Sequence, residues 1–94
     1  MPKPSAGQDE AEIVALEVLA YIASFPAVFA EFLKLTGFAC DEVTGGAVSL
    51  EVQIAVLDFL TRDESLLVSF CSHKHYKPAR ILAALKALDP AYDW

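Results

Sequence analysis

The sequence has few cysteines and no long apolar run, and each shortage excludes a class of protein. Of its 94 residues only two, Cys40 and Cys71, are cysteines, and they form neither a CxxC pair nor a disulfide framework. The longest run without a charged residue covers residues 18–30 and contains Pro26, whereas a membrane-spanning helix needs about 20 apolar residues. We therefore expect a soluble, cytoplasmic chain with no membrane span and no disulfide scaffold.

Residues 1–8 lack the apolar segment of a secretory leader, so no signal peptide is expected. They are polar and include two prolines, which is typical of a flexible N-terminal tail. The whole chain is nevertheless 55% hydrophobic. That content is too high for a disordered protein, and in so small a chain it predicts exposed apolar surface that partners could cover.

Charge is distributed unevenly along the chain. The net charge is −6, but residues 1–66 hold 11 acids and 3 bases, and residues 67–94 hold 2 acids and 4 bases. These four bases are Lys74, Lys77, Arg80 and Lys86. They are too few and too widely spaced to predict nucleic-acid binding, so a protein partner is the expectation.

Apolar residues recur at helical spacing and no segment alternates with a period of two, which predicts an all-α fold. We expect a compact bundle of five main short helices plus a helical stub, within a single domain at 9–88 that is followed by a C-terminal tail at 89–94. The helices are predicted at about 10–24, 26–36, 50–61, 64–74 and 78–88, and the stub at 41–44.

The predicted helix ends rest on a few capping residues. Asp9 with Glu12 has the spacing of a capping box, and Ser49 and Asp63 are suited to cap the helices that follow them. Gly37 is predicted to end the second helix in the left-handed conformation.

The first helix is expected to bury a stripe that consists of Ile13, Leu16, Ala20 and Ala23, widened by Val18, Leu19, Tyr21 and Ile22. The second is expected to bury Val28, Phe29, Phe32, Leu33 and Leu35.

The chain also resembles itself when its second half is laid over its first. Residues 18–38 align without a gap with residues 56–76, and large apolar residues coincide more often than independent placement would give. Phe25 aligns with Asp63, and Gly37 aligns with His75. The pattern predicts two tandem copies of a helical repeat that pack against each other.

The stretch FCSHKHY at residues 70–76 contains the best candidates for chemistry: Cys71, His73 and His75. On a helix, side chains two residues apart point in nearly opposite directions, which disfavours a shared metal ion or a Cys–His nucleophile pair. The repeat offers a structural interpretation, in which Cys71 replaces buried Leu33 and His75 replaces the helix-ending Gly37. We therefore predict no catalytic, cofactor-binding or metal residues; the alternative is a small metal-binding accessory protein or minor enzyme using this region.

The C-terminal residues DPAYDW hold the remaining candidates. Tyr92 and Trp94 could fold back onto the domain or anchor a partner, because these two residue types dominate binding hot spots. The possible partner contacts are therefore Lys74, Lys77, Arg80, Tyr92 and Trp94. The expected function is a non-enzymatic protein-interaction or adaptor module, with a protein partner or a second copy of itself, and without a cofactor.

Three motifs resemble a family of small bacterial proteins catalogued as domain of unknown function family 3572. They are FLKLTGF at residues 32–38, VLDFL at residues 56–60 and the acidic pair Asp63–Glu64, and the resemblance covers about residues 12–82. The chain departs from the family pattern at Phe25, where an acid is usual, and at residues 71–75, where an Ala-rich helix end and a glycine are usual. The resemblance implies an uncharacterised helical fold and argues against a family-wide metal role for residues 71–75.

Overall fold

A computed structural model describes residues 6–45 and 48–89, which form six helices and, within these ranges, no strand. The helices are α1 (Ala6–Ala23), α2 (Pro26–Thr36), α3 (Cys40–Thr44), α4 (Leu50–Arg62), α5 (Glu64–Lys74) and α6 (Pro78–Leu88). The predicted all-α bundle of five main helices and a short stub, α3, is confirmed. The division into a domain and two tails stays a prediction, because residues 1–5 and 90–94 lie outside the described part.

Helices α1, α4 and α6 form the centre of the bundle and make the most extensive contacts with one another. Helix α2 packs against α1 and α4, while α5 packs against α4 and α6. The core that they enclose is almost entirely apolar, and burial of this surface is the main force that holds the helices together. Its largest fully buried side chains are Phe32, Phe70, Ile22, Leu57, Leu60, Ile81 and Leu85.

Helix α1 buries only part of the predicted stripe, namely Val18, Leu19 and Ile22. Ile13 and Leu16 are 56% and 43% exposed, and Ala20 and Ala23 are exposed as well. The residues that α1 buries are Ala11, Val14, Ala15, Val18, Leu19 and Ile22. The prediction was wrong for Ile13, Leu16, Ala20 and Ala23, because α1 has apolar residues on more than one side and their spacing does not identify the face that meets α4 and α6.

The start of α1 and the end of α2 also differ from the predictions. Helix α1 already includes Ala6, so Asp9 lies in its first turn rather than at its N-cap. An acid there still opposes the helix dipole favourably. In α2, Phe32 is buried, but Leu35 is 66% exposed because no other described helix covers that side of the last turn.

The predicted N-caps of α4 and α5 are confirmed. The Ser49 hydroxyl oxygen accepts a hydrogen bond from the Val52 amide at 3.3 Å, and the Asp63 carboxylate accepts one from the Leu66 amide at 3.1 Å. Each bond gives a partner to a backbone donor that the first helical turn leaves unpaired. These two caps separate α4 from its neighbours along the chain.

The predicted left-handed helix ends are confirmed as well. Gly37 has φ +79° and donates its amide hydrogen to the Leu33 carbonyl at 2.8 Å. His75 has φ +60° and donates to the Cys71 carbonyl. His75 is the only non-glycine residue with positive φ in the described part of the chain, so an imidazole residue ends α5 where a glycine ends α2.

Helix α3 is short because the backbone closes tightly behind it. The Gly45 amide donates to the Asp41 carbonyl at 2.9 Å, and a Cβ atom at Gly45 would lie 2.6 Å from that oxygen. Only glycine fits such a close approach. The Glu42 carboxylate accepts from the Ala39 amide at 2.7 Å and so pairs a donor at the start of α3.

The chain bends by 117° between Asp9–Ala23 and Pro26–Thr36. Pro26 occupies the first position of α2, where its missing amide hydrogen would have no helical partner in any case. No single helix in the described ranges is long and apolar enough to cross a membrane. Judged by length and composition alone, only the two segments on either side of this bend, taken together, would be long and apolar enough.

Candidate functional site

The three candidate residues of FCSHKHY point to different surroundings. Cys71 is buried in the core, and this burial raises the pKa of its thiol. His73 is exposed and its ring lies 5.6 Å from that of Tyr21, while His75 forms the left-handed end of α5. The alternative of a metal-binding or catalytic protein that uses these residues gains no support from this arrangement.

The same holds for the rest of the described chain. Within residues 6–45 and 48–89, no group of three or more His, Cys, Asp or Glu side chains could hold a metal ion. The second cysteine, Cys40, is exposed at the start of α3, and neither Cys40 nor Cys71 is in a disulfide.

Tyr76, just after α5, links the basic end of that helix to the middle of α1. Its hydroxyl donates to the Glu17 carboxylate at 2.6 Å, and the Lys74 ammonium lies 3.8 Å from the other oxygen of that carboxylate. The Arg80 guanidinium lies 4.5 Å from the centre of the Tyr76 ring, within cation–π range. The hydrogen bond to Glu17, together with desolvation, raises the pKa of Tyr76.

Beside this cluster, the outer face of α1 forms an apolar groove with the end of α5. We call it the α1 groove, and the residues that line it are Ile13, Leu16, Glu17, Ala20, Tyr21, Ser24, His73 and Lys74. It has a volume of about 510 Å³. Tyr21 fixes one wall, because its hydroxyl is hydrogen-bonded to that of Ser69 on α5 and its ring packs edge-on against Phe70 at 5.3 Å. The groove therefore has an aromatic wall, and its lining combines the apolar Ile13, Leu16 and Ala20 with the charged Glu17 and Lys74.

A second groove lies on the corresponding face of α4. This α4 groove is defined by Phe38, Glu51, Ile54, Ala55, Asp58 and Arg62, and its volume is about 600 Å³. Its lining includes an ion pair, in which the Arg62 guanidinium lies 2.7 Å from the Asp58 carboxylate one turn away on the helix. When the second half of the chain is aligned with the first, Glu51, Asp58 and Arg62 correspond to Ile13, Ala20 and Ser24. The α4 groove is charged at these three positions and the α1 groove is not, whereas Glu17 of the α1 groove corresponds to Ala55 of the α4 groove.

The structure brings together two of the predicted partner contacts, Lys74 and Arg80, on either side of Tyr76. Lys77 is exposed and caps the start of α6 through its backbone only. Tyr92 and Trp94 lie outside the described residues. The sequence analysis did not identify Glu17 as a site residue, and it placed Ile13 and Leu16 in the core rather than on the surface. The available signal for these two was that α1 has more apolar residues than a single buried face can hold.

Comparison with known proteins identifies a family but no activity. The model of the family described as protein of unknown function (DUF3572) matches residues 8–91. Neither the curated proteins nor the solved structures include a significant match to the chain.

Proposed function

The chain belongs to the DUF3572 family, whose description names no activity, and we propose that it is a non-enzymatic protein-interaction or adaptor module. In this proposal the α1 groove is the docking surface. The two free cysteines, one exposed and one buried, suit a reducing cytosol, where we expect the module to act.

One observation carries the proposal: the apolar side chains of Ile13 and Leu16 are exposed on neighbouring turns of α1, and both line the α1 groove. Glu51 and Asp58 occupy the α4 positions that correspond to Ile13 and Ala20. Helix α4 packs in the core with those charges on its outer face, so the bundle itself does not require apolar side chains at such positions. Their presence on α1 needs another explanation, and contiguous exposed apolar residues commonly mark binding surfaces.

The rim of the α1 groove adds polar groups that could orient a partner. His73 and Lys74 lie at its α5 side, and Glu17 lies between Lys74 and Tyr76. An apolar centre with a polar, partly exposed rim is the usual anatomy of a protein–protein interface. This arrangement offers no nucleophile or general base with a partner oriented for catalysis.

An affinity capture with matched variants tests the proposal. Tagged wild-type protein, Ile13→Glu and Leu35→Glu are used as baits in extract from the native cell. Both variants place a carboxylate on an exposed apolar position, but only Ile13 lies in the α1 groove. We expect specific partners to be lost with Ile13→Glu and kept with Leu35→Glu, because a charge inside an apolar contact must be desolvated. Equal recovery by all three baits would overturn the proposed surface.

A further inference from the structure

We propose that the segment after α6, residues 90–94 with the sequence PAYDW, binds back into the α4 groove and places the rings of Tyr92 and Trp94 there. This occupant is intramolecular, and its surface is not the one that the proposed function uses. The two assignments are therefore tested separately.

The α4 groove follows one face of its helix. The α4 residues that line it have the helical spacing i, i+3, i+4, i+7 and i+11, and they are Glu51, Ile54, Ala55, Asp58 and Arg62. From the first to the last of them this face is about 16 Å long. Phe38, Ile54 and Ala55 are only half-buried, so the groove retains apolar surface that a further side chain can cover.

The chain leaves α6 at this groove. Asp89, the last residue that the structure describes, is the C-cap of α6 and itself lines the α4 groove. Its backbone is extended, with φ −122° and ψ 91°, because a residue that precedes a proline is kept out of the helical conformation. The next five residues span about 17 Å when they are extended. The segment therefore starts at the groove and is long enough to run along it.

An extended segment also separates the aromatic residues of PAYDW from its acid. Successive side chains of an extended chain point to opposite sides, so Tyr92 and Trp94 share one side and Asp93 takes the other. With both rings turned to the groove, the Asp93 carboxylate stays in water and away from the acids of the groove. The segment thus buries its aromatic surface without placing like charges together.

The polar atoms of the two rings match the charged groups of the groove. The indole N–H of tryptophan and the phenol O–H of tyrosine usually donate to a partner when the ring is buried. Carboxylate oxygens accept such bonds, and Glu51 and Asp58 line the groove beside its apolar residues. The Arg62 guanidinium, 2.7 Å from the Asp58 carboxylate, adds a cation that can stack on an aromatic face.

Attachment to α6 favours this segment over a separate partner. A short segment tethered at the groove has an effective concentration on the order of millimolar. It also loses far less translational and rotational freedom on binding than a separate protein would. An external partner of the α4 groove would have to displace it.

Fluorescence of Trp94, the one tryptophan of the sequence, tests the proposal directly. In the whole wild-type chain we expect emission at shorter wavelength and several-fold weaker quenching by acrylamide than in the urea-unfolded chain, at every protein concentration. Emission and quenching equal to those of the unfolded chain would overturn the proposal. Protection that grows with protein concentration would also overturn it, because the ring would then lie on another copy.

Matched variants locate the ring. Ile54→Glu places a carboxylate in the α4 groove, and Leu16→Glu places one at the corresponding position of the α1 groove. We expect Ile54→Glu to shift the emission to longer wavelength and to raise the quenching toward the unfolded value, because a carboxylate beneath a buried ring must lose its water. Leu16→Glu should change neither. Release of the ring by Leu16→Glu, or by neither variant, would overturn the proposed site.

A double-mutant cycle keeps the test valid if Ile54→Glu does not fold. Ile54→Ala and Trp94→Ala each remove one side of the contact, so their separate losses in the free energy of unfolding should sum to more than the loss of the double variant. Leu16→Ala combined with Trp94→Ala should be additive, since these residues do not touch in the proposed arrangement. Additive losses for Ile54→Ala and Trp94→Ala would overturn the proposal.

Discussion

Helices α2 and α5 occupy matching places in two successive stretches of the chain, but their starts are built differently. Their bounds, Pro26–Thr36 and Glu64–Lys74, are related by the same shift at both ends, from 26 to 64 and from 36 to 74. The preceding residues have nearly the same backbone angles, with φ −116° and ψ 100° at Phe25 and φ −118° and ψ 99° at Asp63. At the start of α2, Pro26 removes a backbone donor that would have no partner. At the start of α5, Asp63 supplies an acceptor for such a donor. Equal backbone geometry therefore does not require equal side chains.

Aromatic contacts connect the two stretches reciprocally. Tyr21 of α1 packs edge-on against Phe70 of α5 at 5.3 Å, and Phe59 of α4 packs edge-on against Phe32 of α2, also at 5.3 Å. The shift that relates α2 to α5 also relates Tyr21 to Phe59 and Phe32 to Phe70. Each stretch thus contributes a ring from its first helix to the second helix of the other, which is the arrangement expected of two copies related by an approximate two-fold axis. The tandem repeat remains our interpretation of this correspondence.

Phe32 and Phe70 allow the largest test of that correspondence. Both side chains are fully buried, and each also contacts the aromatic residue beyond its own helix, Phe38 at 6.3 Å and Tyr76 at 6.0 Å. We expect Phe32→Ala and Phe70→Ala each to lower the free energy of unfolding by roughly 3–5 kcal/mol, because each leaves a cavity in the core. Urea unfolding followed by circular dichroism measures both losses.

The two losses should agree to within about 1 kcal/mol if the sites are equivalent, given the usual scatter of cavity costs. Leu35→Ala is the control, since an exposed side chain should change stability by less than about 0.5 kcal/mol. A near-neutral effect at either phenylalanine would contradict its place in the core. A much larger effect at one than at the other would break the equivalence.

Local sequence signals predicted the fold wherever they were unambiguous. Ser49, Asp63 and Gly37 act at helix ends through contacts only three or four residues away, and all three were found from the sequence. The buried face of α1 was missed because Ile13 and Leu16 fit a helical stripe as well as the buried residues do. Which of two apolar faces enters a core depends on α4 and α6, and no local period contains that information.

The candidate site could be predicted only in part, for the same reason. The basic residues Lys74 and Arg80 stood out as an excess of positive charge late in the chain. Their neighbour Glu17 did not, because the hydrogen bond that joins it to Tyr76 spans 59 residues of sequence. Contacts of that range arise from the packing of α1 beside the end of α5, which single-sequence patterns do not specify.

Tyr76 differs from its counterpart Phe38 by one hydroxyl group, which allows a smaller and sharper test. Tyr76→Phe removes the hydrogen bond to the Glu17 carboxylate and keeps the ring, so we expect a loss of roughly 0.5–1.5 kcal/mol in the free energy of unfolding, measured by urea denaturation. Phe38→Tyr is the reciprocal variant. It should not gain the same stability, because position 55, which corresponds to Glu17, is Ala55.

The same hydroxyl should give a pH dependence with a definite sign. The pKa of Tyr76 is raised in the folded protein, so folding favours the protonated phenol. The contribution of this preference to the free energy of unfolding is complete below the pKa of tyrosine in the unfolded chain, about 10. It is lost as the pH rises through the higher pKa of the folded protein. The stability difference between wild type and Tyr76→Phe should therefore shrink above about pH 10. A difference that stays constant through this range would contradict the raised pKa.

The helix ends at Gly37 and His75 give the smallest effect and the most direct exchange between the two stretches. Both residues have positive φ, a conformation in which a side chain is strained and glycine is not. His75→Gly should therefore be neutral or raise the free energy of unfolding by up to about 1 kcal/mol, and Gly37→His should lower it by a similar amount.

Steric crowding does not complicate this exchange at Gly37, where a Cβ atom would meet nothing within 4 Å. The cost of Gly37→His therefore reports the backbone alone, and chemical denaturation of the two single variants and of the double exchange measures it. Because the positions lie on different helices, the opposite effects should add, and the doubly exchanged protein should unfold close to wild type. Clear destabilisation by His75→Gly would instead show that the imidazole stabilises the end of α5 through its contacts, and that the two helix ends are not interchangeable.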